Sequence, residues 1–489
     1  MEKFNLPFIT SRLAQLDKES RQLEPDTHLR EKVLKRAEEY ANEFLQNIDS
    51  MPMYGEDSKT NGNKFRSPVF DSPIDIDDAL NILKEDVDRP GLNPASGKHL
   101  GYIPGGGIYY SAVADYLAAV TNRYAGVFFA SPGAVRMENV LLRWMADIVG
   151  YPETAAGNLT SGGSIANLTG VVVARDVHEI PAKDFSRVVV YLTSQAHHSV
   201  EKALRIAGLG ECIKRNISCD ERFRMKPDAL EAAIVSDKKS GLRPWLVVAS
   251  AGSTDAGVVD PLVEIGDIAH KHKLWYHIDG AYGAFFALCK EGKKILRGIE
   301  SSDSLVMDPH KGLFLPYGSG AVLVKERTHL LRSFSQYANY MQDALTPLDE
   351  ISPADISIEL SKHFRGLRLW LPLKLLGAAP FRAALEEKLL LARYFFEKVQ
   401  TLPNVEVGPP PDLSVVTFRF VPARGNADEF NKQLVNEIRR EGRVFFSSTM
   451  LDGKFVLRCA VLVFRAHRQV IDEALEILRK RSEVLMRST

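Results

Sequence analysis

Three groups of residues combine chemically useful side chains with positions at the ends of predicted strands. The first is the segment Thr160-Ser161-Gly162-Gly163-Ser164. Its small residues open a predicted helix, whose free N–H groups and dipole favour a phosphate, and Ser164 adds a hydroxyl donor. A plain turn with a helix cap would have the same composition. The segment is not a P-loop, because no Gly-Lys-Ser/Thr follows, and it is not a G-x-G-x-x-G fingerprint.

The other two groups supply a carboxylate and an amine. Asp279 ends the apolar run 274–279, and a carboxylate buried there needs a partner because burying a lone charge is costly. Lys311 ends the segment Asp308-Pro309-His310-Lys311, which follows the next apolar run. A desolvated lysine amine can act as a nucleophile. The alternatives are a helix-capping aspartate and a solvated surface lysine.

Together the three groups form a set that pyridoxal 5'-phosphate (PLP) requires. In PLP enzymes a lysine forms an imine with the cofactor, a carboxylate keeps the ring nitrogen protonated, and a helix N-terminus binds the phosphate. The chain carries the phosphate cradle, the carboxylate and the lysine in that order. We therefore predict PLP as the cofactor.

Short apolar runs alternate with helical patterns through the middle of the chain, and their length and β-branched content are typical of buried strands. The runs are 187–193, 245–250, 274–279, 304–308 and 320–325. A helix is predicted at 261–272, where Asp260 can cap and Pro261 takes the first helical position. The alternation predicts a mostly parallel sheet covered on both faces, with ligands beyond the carboxyl ends of its strands.

The two ends of the chain show different patterns. Near the start, Pro25-Asp26 precedes an amphipathic stripe that runs from Leu29 to Ile48 and predicts a helix. We predict a helical N-terminal segment (1–100), a large PLP-binding α/β domain (101–370) and a small α+β domain (371–489). The last region is predicted to contain helix 375–400, strand 415–421, helix 427–441, strand 454–463 and helix 467–486.

Composition narrows the possible partners. The chain has 62 Lys+Arg and 62 Asp+Glu, so its formal net charge is zero. This charge gives no indication of binding to nucleic acid or to an anionic membrane. No apolar run is long enough to span a membrane, and the N-terminus lacks a secretory pattern. The four cysteines form no Cys-x-x-Cys pair and suit a reducing cytoplasm. His270, His272 and His277 do not converge, so no metal is expected.

These motifs resemble the group II PLP decarboxylases, the family of aromatic-L-amino-acid, tryptophan, tyrosine and glutamate decarboxylases. The resemblance covers nearly the whole chain. Asp-Pro-His-Lys resembles the family's Asn/Asp-Pro-His-Lys box, which implies that Lys311 is the imine lysine. His-Ile-Asp-Gly-Ala-Tyr-Gly resembles the next box, which implies Asp279 on the pyridine nitrogen and Ala281 beside the ring. The implied fold is the aspartate-aminotransferase-like fold type I, with a mostly parallel seven-stranded sheet.

Further matches extend the implied site. Gln195-Ala196-His197 resembles the family's Gln-Thr/Ala-His, which implies that His197 stacks on the ring. A satisfied loop histidine is the alternative for His197, and a loop cap is the alternative for Thr254, which ends Gly-Ser-Thr. The remaining implied cofactor contacts are Gly163, Ser164, Thr254, Asp308 and His310.

Tyr340 lies where the family's mobile loop carries the tyrosine that protonates the substrate carbon. Aldehyde-forming members of the family have phenylalanine there, so the tyrosine favours loss of CO2 and release of an amine. The alternative is a loop aromatic that anchors a subunit contact. The resemblance also implies a homodimer with the active site at the subunit interface.

The substrate is predicted to be an aromatic L-amino acid. Tyr102-Ile103-Pro104 resembles the family segment that lines the side-chain pocket, and the glycines at 105–107 would remove side-chain walls. Tyr102, with Phe128 and Phe129 nearby, would accept a flat apolar ring. An acidic or other non-aromatic substrate, an aldehyde synthase and a non-catalytic PLP-binding relative are the alternatives. A dinucleotide oxidoreductase is disfavoured, because the glycine fingerprint is missing.

Overall fold

The computed structural model describes residues 5–56, 73–335 and 350–488. The chain divides into two compact units, Met1–Asn93 and Pro94–Thr489. The first unit contains helices α1 (Leu6–Ser20), α2 (Thr27–Asn47) and α3 (Ile76–Ile82), and strand β1 (Tyr54–Gly55) paired antiparallel with β2 (Gly91–Leu92). The domain boundaries expected at residues 100 and 370 stay predictions.

The amphipathic helix predicted near the start is α2. The Asp26 carboxylate caps it by accepting a hydrogen bond from the N–H of Leu29 at 2.8 Å. Its apolar stripe is not buried, because neither α1 nor α2 contains a buried residue. Leu13 on α1 is 61% exposed and Leu29 on α2 is 46% exposed. Both helices therefore present apolar side chains outward.

The second unit is built on a seven-stranded sheet with the order β4-β10-β9-β8-β7-β5-β6. Strand β10 pairs antiparallel with both of its neighbours, and the remaining pairs between adjacent strands are parallel. The predicted mostly parallel seven-stranded sheet is thus confirmed. Its strands are β4 (Ala156–Thr160), β5 (Val188–Leu192), β6 (Ile213–Asn216), β7 (Arg243–Ser250), β8 (Trp275–Asp279), β9 (Ser304–Met307) and β10 (Gly320–Val324).

Both faces of this sheet are buried. Alternate residues of β5 belong to different cores: Val189 and Tyr191 pack on one face, and Val188 and Val190 pack on the other. This alternation follows from the two-residue repeat of a strand. The second unit's first ten helices are α4 (Tyr109–Thr121), α5 (Pro132–Ile148), α6 (Gly163–Val177), α7 (His198–Ile206), α8 (Pro227–Lys239), α9 (Leu262–His272), α10 (Lys290–Ile295), α11 (Pro309–Gly312), α12 (Arg327–Phe334) and α13 (Arg365–Leu376).

The start of α9 differs from the prediction by one residue. Pro261 is the N-cap residue rather than the first helical residue, and Asp260 does not cap the helix. The Asp260 carboxylate instead accepts hydrogen bonds from the N–H groups of Met225 at 2.7 Å and Ser250 at 2.8 Å. Asp260 therefore ties the end of β7 to the loop before α8.

A five-stranded sheet with the order β11-β12-β14-β13-β3 forms a second layer. It contains β3 (His99–Leu100), β11 (Val405–Val407), β12 (Val415–Phe420), β13 (Phe445–Leu451) and β14 (Lys454–Ala460), and the accompanying helices are α14 (Ala379–Val399), α15 (Ala427–Glu441) and α16 (Arg468–Ser488). The short strand β3 pairs parallel with β13, although it comes from far earlier in the chain. This pairing fixes the backbone just before Tyr102 to the C-terminal layer.

Candidate active site

A cavity of about 460 Å³ lies at the carboxyl edge of the seven-stranded sheet. Ligands of open α/β sheets bind at this edge, because the loops that leave the parallel strands converge there. The cavity is lined by all the predicted catalytic and cofactor residues that the structure describes, together with the predicted substrate contacts Tyr102 and Ile103: Gly163, Ser164, His197, Thr254, Asp279, Ala281, Asp308, His310 and Lys311. Tyr340 lies outside the described residues.

Lys311 sits on the short helix α11, directly after β9. Its Nζ lies 3.2 Å from Oδ2 of Asp308, and the lysine side chain is 26% exposed whereas that of Asp308 is 1% exposed. The other carboxylate oxygen, Asp308 Oδ1, is buried and has no hydrogen-bond partner among the described residues. The amine is thus reachable from the cavity, and a buried acceptor beside it is left for a ligand.

His310 faces the same carboxylate. Its Nε2 lies 3.6 Å from Asp308 Oδ2, and its Nδ1 lies 2.5 Å from the carbonyl oxygen of Ser319. A carbonyl only accepts, so Nδ1 carries the proton. Burial lowers the pKa of His310, and the Asp308 charge partly offsets that shift. His310 is therefore held neutral, with Nε2 unprotonated.

The N-terminus of α6 faces Asp308 and Ala281. A Cβ built on Gly163 would lie 2.9 Å from Asp308 Oδ2 and 3.3 Å from Cβ of Ala281, so a side chain there would fill the cradle. Thr160 stabilises the turn before α6, because its Oγ1 donates a hydrogen bond to the carbonyl oxygen of Gly162 at 3.0 Å. The first N–H groups of a helix have no partner within the helix and point toward such a cradle.

Asp279 ends β8 and is 9% exposed. Its Oδ2 accepts a hydrogen bond from Nδ2 of Asn167 at 3.0 Å, and its Oδ1 accepts one from the N–H of Ala281 at 3.2 Å. Hydrogen bonds to the charged form of a carboxylate stabilise that form. Asn167 was missed from the sequence, although a lone amide inside the apolar run of α6 is a signal of a buried polar contact.

His197 is the N-cap residue of α7. Its Nδ1 accepts a hydrogen bond from the N–H of Ser199 at 3.2 Å and lies 2.7 Å from the Ser199 hydroxyl. Burial lowers the pKa of His197, and the charge of Asp279 partly opposes this. The ring is therefore neutral and held at a fixed angle on the cavity wall.

Tyr102 also lines the cavity and packs against two aromatic rings of the five-stranded sheet. The Tyr102 ring centroid lies 5.7 Å from that of Phe445 and 6.1 Å from that of His99. Burial lowers the pKa of His99 to about 4, so this ring is neutral as well. Tyr102, Phe445 and His99 thus form an uncharged aromatic cluster, in which Tyr102 is the ring that lines the cavity.

Arg458 on β14 also lines the cavity and was missed from the sequence, although it is the one charge inside the predicted strand 454–463 after Lys454. Its side chain donates to the carbonyl oxygens of Asp255 (2.8 Å) and Thr254, and to the Ser447 hydroxyl (3.0 Å). Burial lowers its pKa. Much of the donor capacity of Arg458 thus goes to holding the Thr254 loop.

Two expectations about the substrate pocket are wrong for the described chain. The glycines at 105–107 do not line the cavity, and a Cβ on Gly105 would lie only 2.6 Å from the carbonyl oxygen of His310. The absence of side chains there allows close backbone packing and does not widen the pocket. Phe128 and Phe129 do not line the cavity either: the guanidinium of Arg136 stacks over Phe128, and Phe129 is 64% exposed.

Residues 76–421 match the family model described as the pyridoxal-dependent decarboxylase conserved domain. The chain belongs to that family. It is 35% identical over 442 residues to the aromatic-L-amino-acid decarboxylase of Bacillus atrophaeus, covering 86% of this chain and 91% of that protein. It is 28% identical over 435 residues to the phenylacetaldehyde synthase of Arabidopsis thaliana, covering 85% and 88%.

The fold agrees with solved members of this family. The crystal structure of Oryza sativa TDC with PLP and tryptamine matches with a TM-score of 0.89 at 25% identity, covering 95% of this chain and 99% of that one. The predicted family, fold and cofactor are confirmed: this chain is a PLP-dependent decarboxylase, a lyase that acts on amino acids.

The described residues fit PLP on chemical grounds. The cavity combines a reachable primary amine (Lys311), a helix N-terminus with glycine at its start (Gly163) and a carboxylate held by two N–H donors (Asp279). These match the aldehyde, the phosphate and the ring nitrogen of the cofactor. No group of three His, Cys, Asp or Glu side chains among residues 5–56, 73–335 and 350–488 could hold a metal ion. Within the same ranges, no helix is long and apolar enough to cross a membrane.

Proposed function

We propose that this decarboxylase acts on an aromatic L-amino acid, releasing CO2 and the corresponding amine, with Lys311 as the residue that holds PLP. One observation carries the proposal: the Lys311 amine, the Asp279 carboxylate and the N-terminus of α6 line one cavity together with Tyr102, which packs against Phe445. When bound, PLP supplies an aldehyde that condenses with amines and a ring that accepts the electron pair left on the α-carbon.

Lys311 and Asp308 act on the amine. Their 3.2 Å separation lets the Asp308 carboxylate accept a hydrogen bond from Nζ and orient the amine, which must be unprotonated before it can act as a nucleophile. Gly163 and Ser164, at the N-terminus of α6, would donate to the phosphate. Asp308 and His310 line the same cavity, and the unpartnered Oδ1 of Asp308 would accept from a ligand donor and not bond to the phosphate, whose oxygens also accept.

Asp279 and His197 act on the ring. The ionised Asp279, stabilised by Asn167 and by the N–H of Ala281, keeps a proton on the ring nitrogen. His197 and Ala281 would hold the faces of the ring and Thr254 its edge, because all three line the cavity. These residues would thereby orient the bond of the substrate that breaks.

The aromatic preference is supported by Tyr102, Phe445 and the neutral His99, and by the names of relatives such as the aromatic-L-amino-acid decarboxylase of Bacillus atrophaeus. Tyr102 and Ile103 would contact the substrate side chain. Among the described lining residues, the positive charge of Arg458 would suit an acidic substrate, but protein acceptors take much of its donor capacity.

Tyr340 is proposed to deliver the proton to the α-carbon, and this role rests on sequence resemblance. An aldehyde is the alternative product, and the similarity to phenylacetaldehyde synthase is the observation that supports it. Tyrosine at position 340 argues for the amine.

A homodimer is proposed from the exposed apolar surface of the second unit. Several large apolar side chains on and after α4 are at least 38% exposed: Tyr109, Tyr110, Tyr116, Leu117, Val120, Tyr124 and Phe129. A monomer rarely exposes so many apolar residues in one region, and a second copy would cover them. A cytoplasmic location is proposed because the four cysteines are free.

The test supplies the purified protein with PLP and, in turn, L-tryptophan, L-tyrosine, L-phenylalanine and L-glutamate, and measures amine, aldehyde and CO2 by mass spectrometry. We expect amine and CO2 in equal amounts from the aromatic substrates and none from a Lys311→Met variant. Formation of amine from L-glutamate alone would overturn the aromatic proposal, and aldehyde as the main product would overturn the role of Tyr340.

A further inference from the structure

A continuous chain of buried hydrogen bonds runs from the sheet to the cavity wall. Nε1 of Trp275 donates to Oγ of Ser304 at 2.8 Å, and Oγ of Ser304 lies 2.7 Å from Nδ1 of His277. Nε2 of His277 lies 2.8 Å from Oδ1 of Asn167. Ser304, His277 and Asn167 are each at most 1% exposed. We call these four residues the relay.

The relay ends in a fork. The amide nitrogen of Asn167 donates to Oδ2 of Asp279 at 3.0 Å and to Oγ of Ser199 at 2.9 Å. Oγ of Ser199 in turn lies 2.7 Å from Nδ1 of His197. One side chain therefore connects the two residues that we assign to the cofactor ring, Asp279 and His197.

The direction of every hydrogen bond in the relay follows from its ends. An ionised carboxylate only accepts, so Asn167 must turn its NH2 group to Asp279 and its Oδ1 to His277. His277 must then donate from Nε2. Burial lowers the pKa of His277 to about 4, so the ring is neutral and its Nδ1 accepts from the Ser304 hydroxyl. The Trp275 N–H, which can only donate, gives its hydrogen to the Ser304 oxygen, and the Ser304 hydrogen remains available for Nδ1 of His277.

The fork sets the proton on His197. Since Oγ of Ser199 accepts from Asn167, its own hydrogen is free to go to Nδ1 of His197, which also accepts from the N–H of Ser199. Nδ1 of His197 then carries no proton, and the neutral ring is protonated on Nε2.

Helix α6 leaves room for this arrangement. A Cβ built on Gly170 would lie 2.7 Å from Cε1 and 2.9 Å from Nδ1 of His277. Glycine inside a helix is unfavourable relative to alanine, so its presence opposite His277 needs a reason. The missing side chain is what allows the His277 ring to lie between α6 and the sheet.

We propose that Trp275, Ser304, His277 and Asn167 are positioning residues that set the orientation of Asp279 and the tautomer of His197 together. The relay deepens the proposed function and rests on it, because Asp279 and His197 are assigned there to the cofactor ring. It predicts that disturbing Asn167 or His277 changes how the ring is held even though neither His277 nor Ser304 lines the cavity.

The first test reads the protons directly. Neutron diffraction from the perdeuterated full chain, without added cofactor, should show deuterium on Nε2 of His277 and Nε2 of His197, and none on Nδ1 of either ring. Deuterium on Nδ1 of His277, or an Asn167 amide turned with its oxygen toward Asp279, would overturn the relay. This result is independent of whether the enzyme forms an amine, so it separates failure of the relay from failure of the proposed function.

The second test compares Asn167→Leu with the control Thr169→Val, which removes a buried hydroxyl from the same helix at a position outside the cavity. We expect Asn167→Leu to weaken PLP affinity by about tenfold to a hundredfold and to shift the pH dependence of the near-visible absorbance of the loaded protein. Thr169→Val should leave the PLP affinity within about threefold and the absorbance profile unchanged. Equal effects of the two variants would overturn the relay. Should Asn167→Leu not fold, Gly170→Ala, which displaces the His277 ring, takes its place with the same expected outcomes.

Discussion

A buried ion pair behind the phosphate cradle gives the sharpest stability prediction. Nζ of Lys362 donates to Oε1 of Glu138, and the two side chains are 0% and 2% exposed. Lys362 also donates to Oδ1 of Asn158 at 3.2 Å, and Glu138 accepts from the N–H of Leu159 at 3.1 Å. Both charges therefore hold β4, the strand that leads into the glycines at 162–163.

The change Lys362→Met would leave the Glu138 carboxylate buried with the Leu159 N–H as its remaining donor among these contacts. Removing one partner of a buried ion pair costs about 3–5 kcal/mol, because the other charge stays uncompensated. That is a large share of the roughly 5–15 kcal/mol that stabilises a folded protein. The double variant Lys362→Met/Glu138→Gln removes both charges, so we expect most of the loss to be recovered.

Urea unfolding of the four proteins of this double-mutant cycle, followed by circular dichroism without added cofactor, measures the coupling. We expect Lys362→Met to unfold at a clearly lower urea concentration and the double variant to lie close to the parent. PLP affinity should follow the same order, since β4 carries the cradle. The reasoning would be refuted if Lys362→Met lowered the free energy of unfolding by less than about 1 kcal/mol. It would also be refuted if the loss in the double variant equalled the sum of the losses in the two single variants.

Four further outcomes are expected. Borohydride reduction of the PLP-loaded protein should tag the peptide that contains Lys311, as read by mass spectrometry after digestion, and a tag elsewhere would contradict its role. Asp279→Ala should lower kcat by about a hundredfold or more, because the ring nitrogen loses its counter-charge, whereas unchanged turnover would exclude that pairing. Tyr340→Phe should move the product from amine toward aldehyde in the mass-spectrometric assay; amine alone at the parent rate would show that another group delivers the proton. The free energy of unfolding should fall as the pH decreases from about 6.5 to about 4, because the unfolded chain protonates His99 at a higher pH than the folded chain does. His99→Phe should therefore flatten the dependence of the urea midpoint on pH. An unchanged slope would show that other groups cause the pH dependence.

Much of the large sheet could be predicted from the sequence because its central strands are continuous apolar runs. Strands β5, β7, β8, β9 and β10 coincide with the predicted runs to within a few residues. The edge strands β4 and β6 were missed. Their sequences, AGNLT and IKRN, are short and polar, so tertiary packing rather than local pattern decides their conformation.

The site was predictable where a chemical group stands at the end of an apolar run, as Asp279 and Lys311 do. It was not predictable where position depends on partners distant in the chain. Asn167 is within one hydrogen bond of Asp279 although 112 residues separate them, and no local pattern shows that contact. Gly105 misled for the same reason, because the backbone against which it packs belongs to the turn that carries Lys311.

The two-residue strand β3 has a consequence for how such an enzyme can diversify. It places Tyr102 beside the layer that carries Phe445 and Arg458, whereas Asp279 ends a strand of the seven-stranded sheet and Lys311 lies on α11, directly after another strand of that sheet. The residues proposed to contact the substrate and those proposed to hold PLP therefore belong to separate parts of the fold. Substitutions at Tyr102, or at Phe445 which packs against it, would then change which amino acid is admitted and leave the residues proposed to hold PLP untouched.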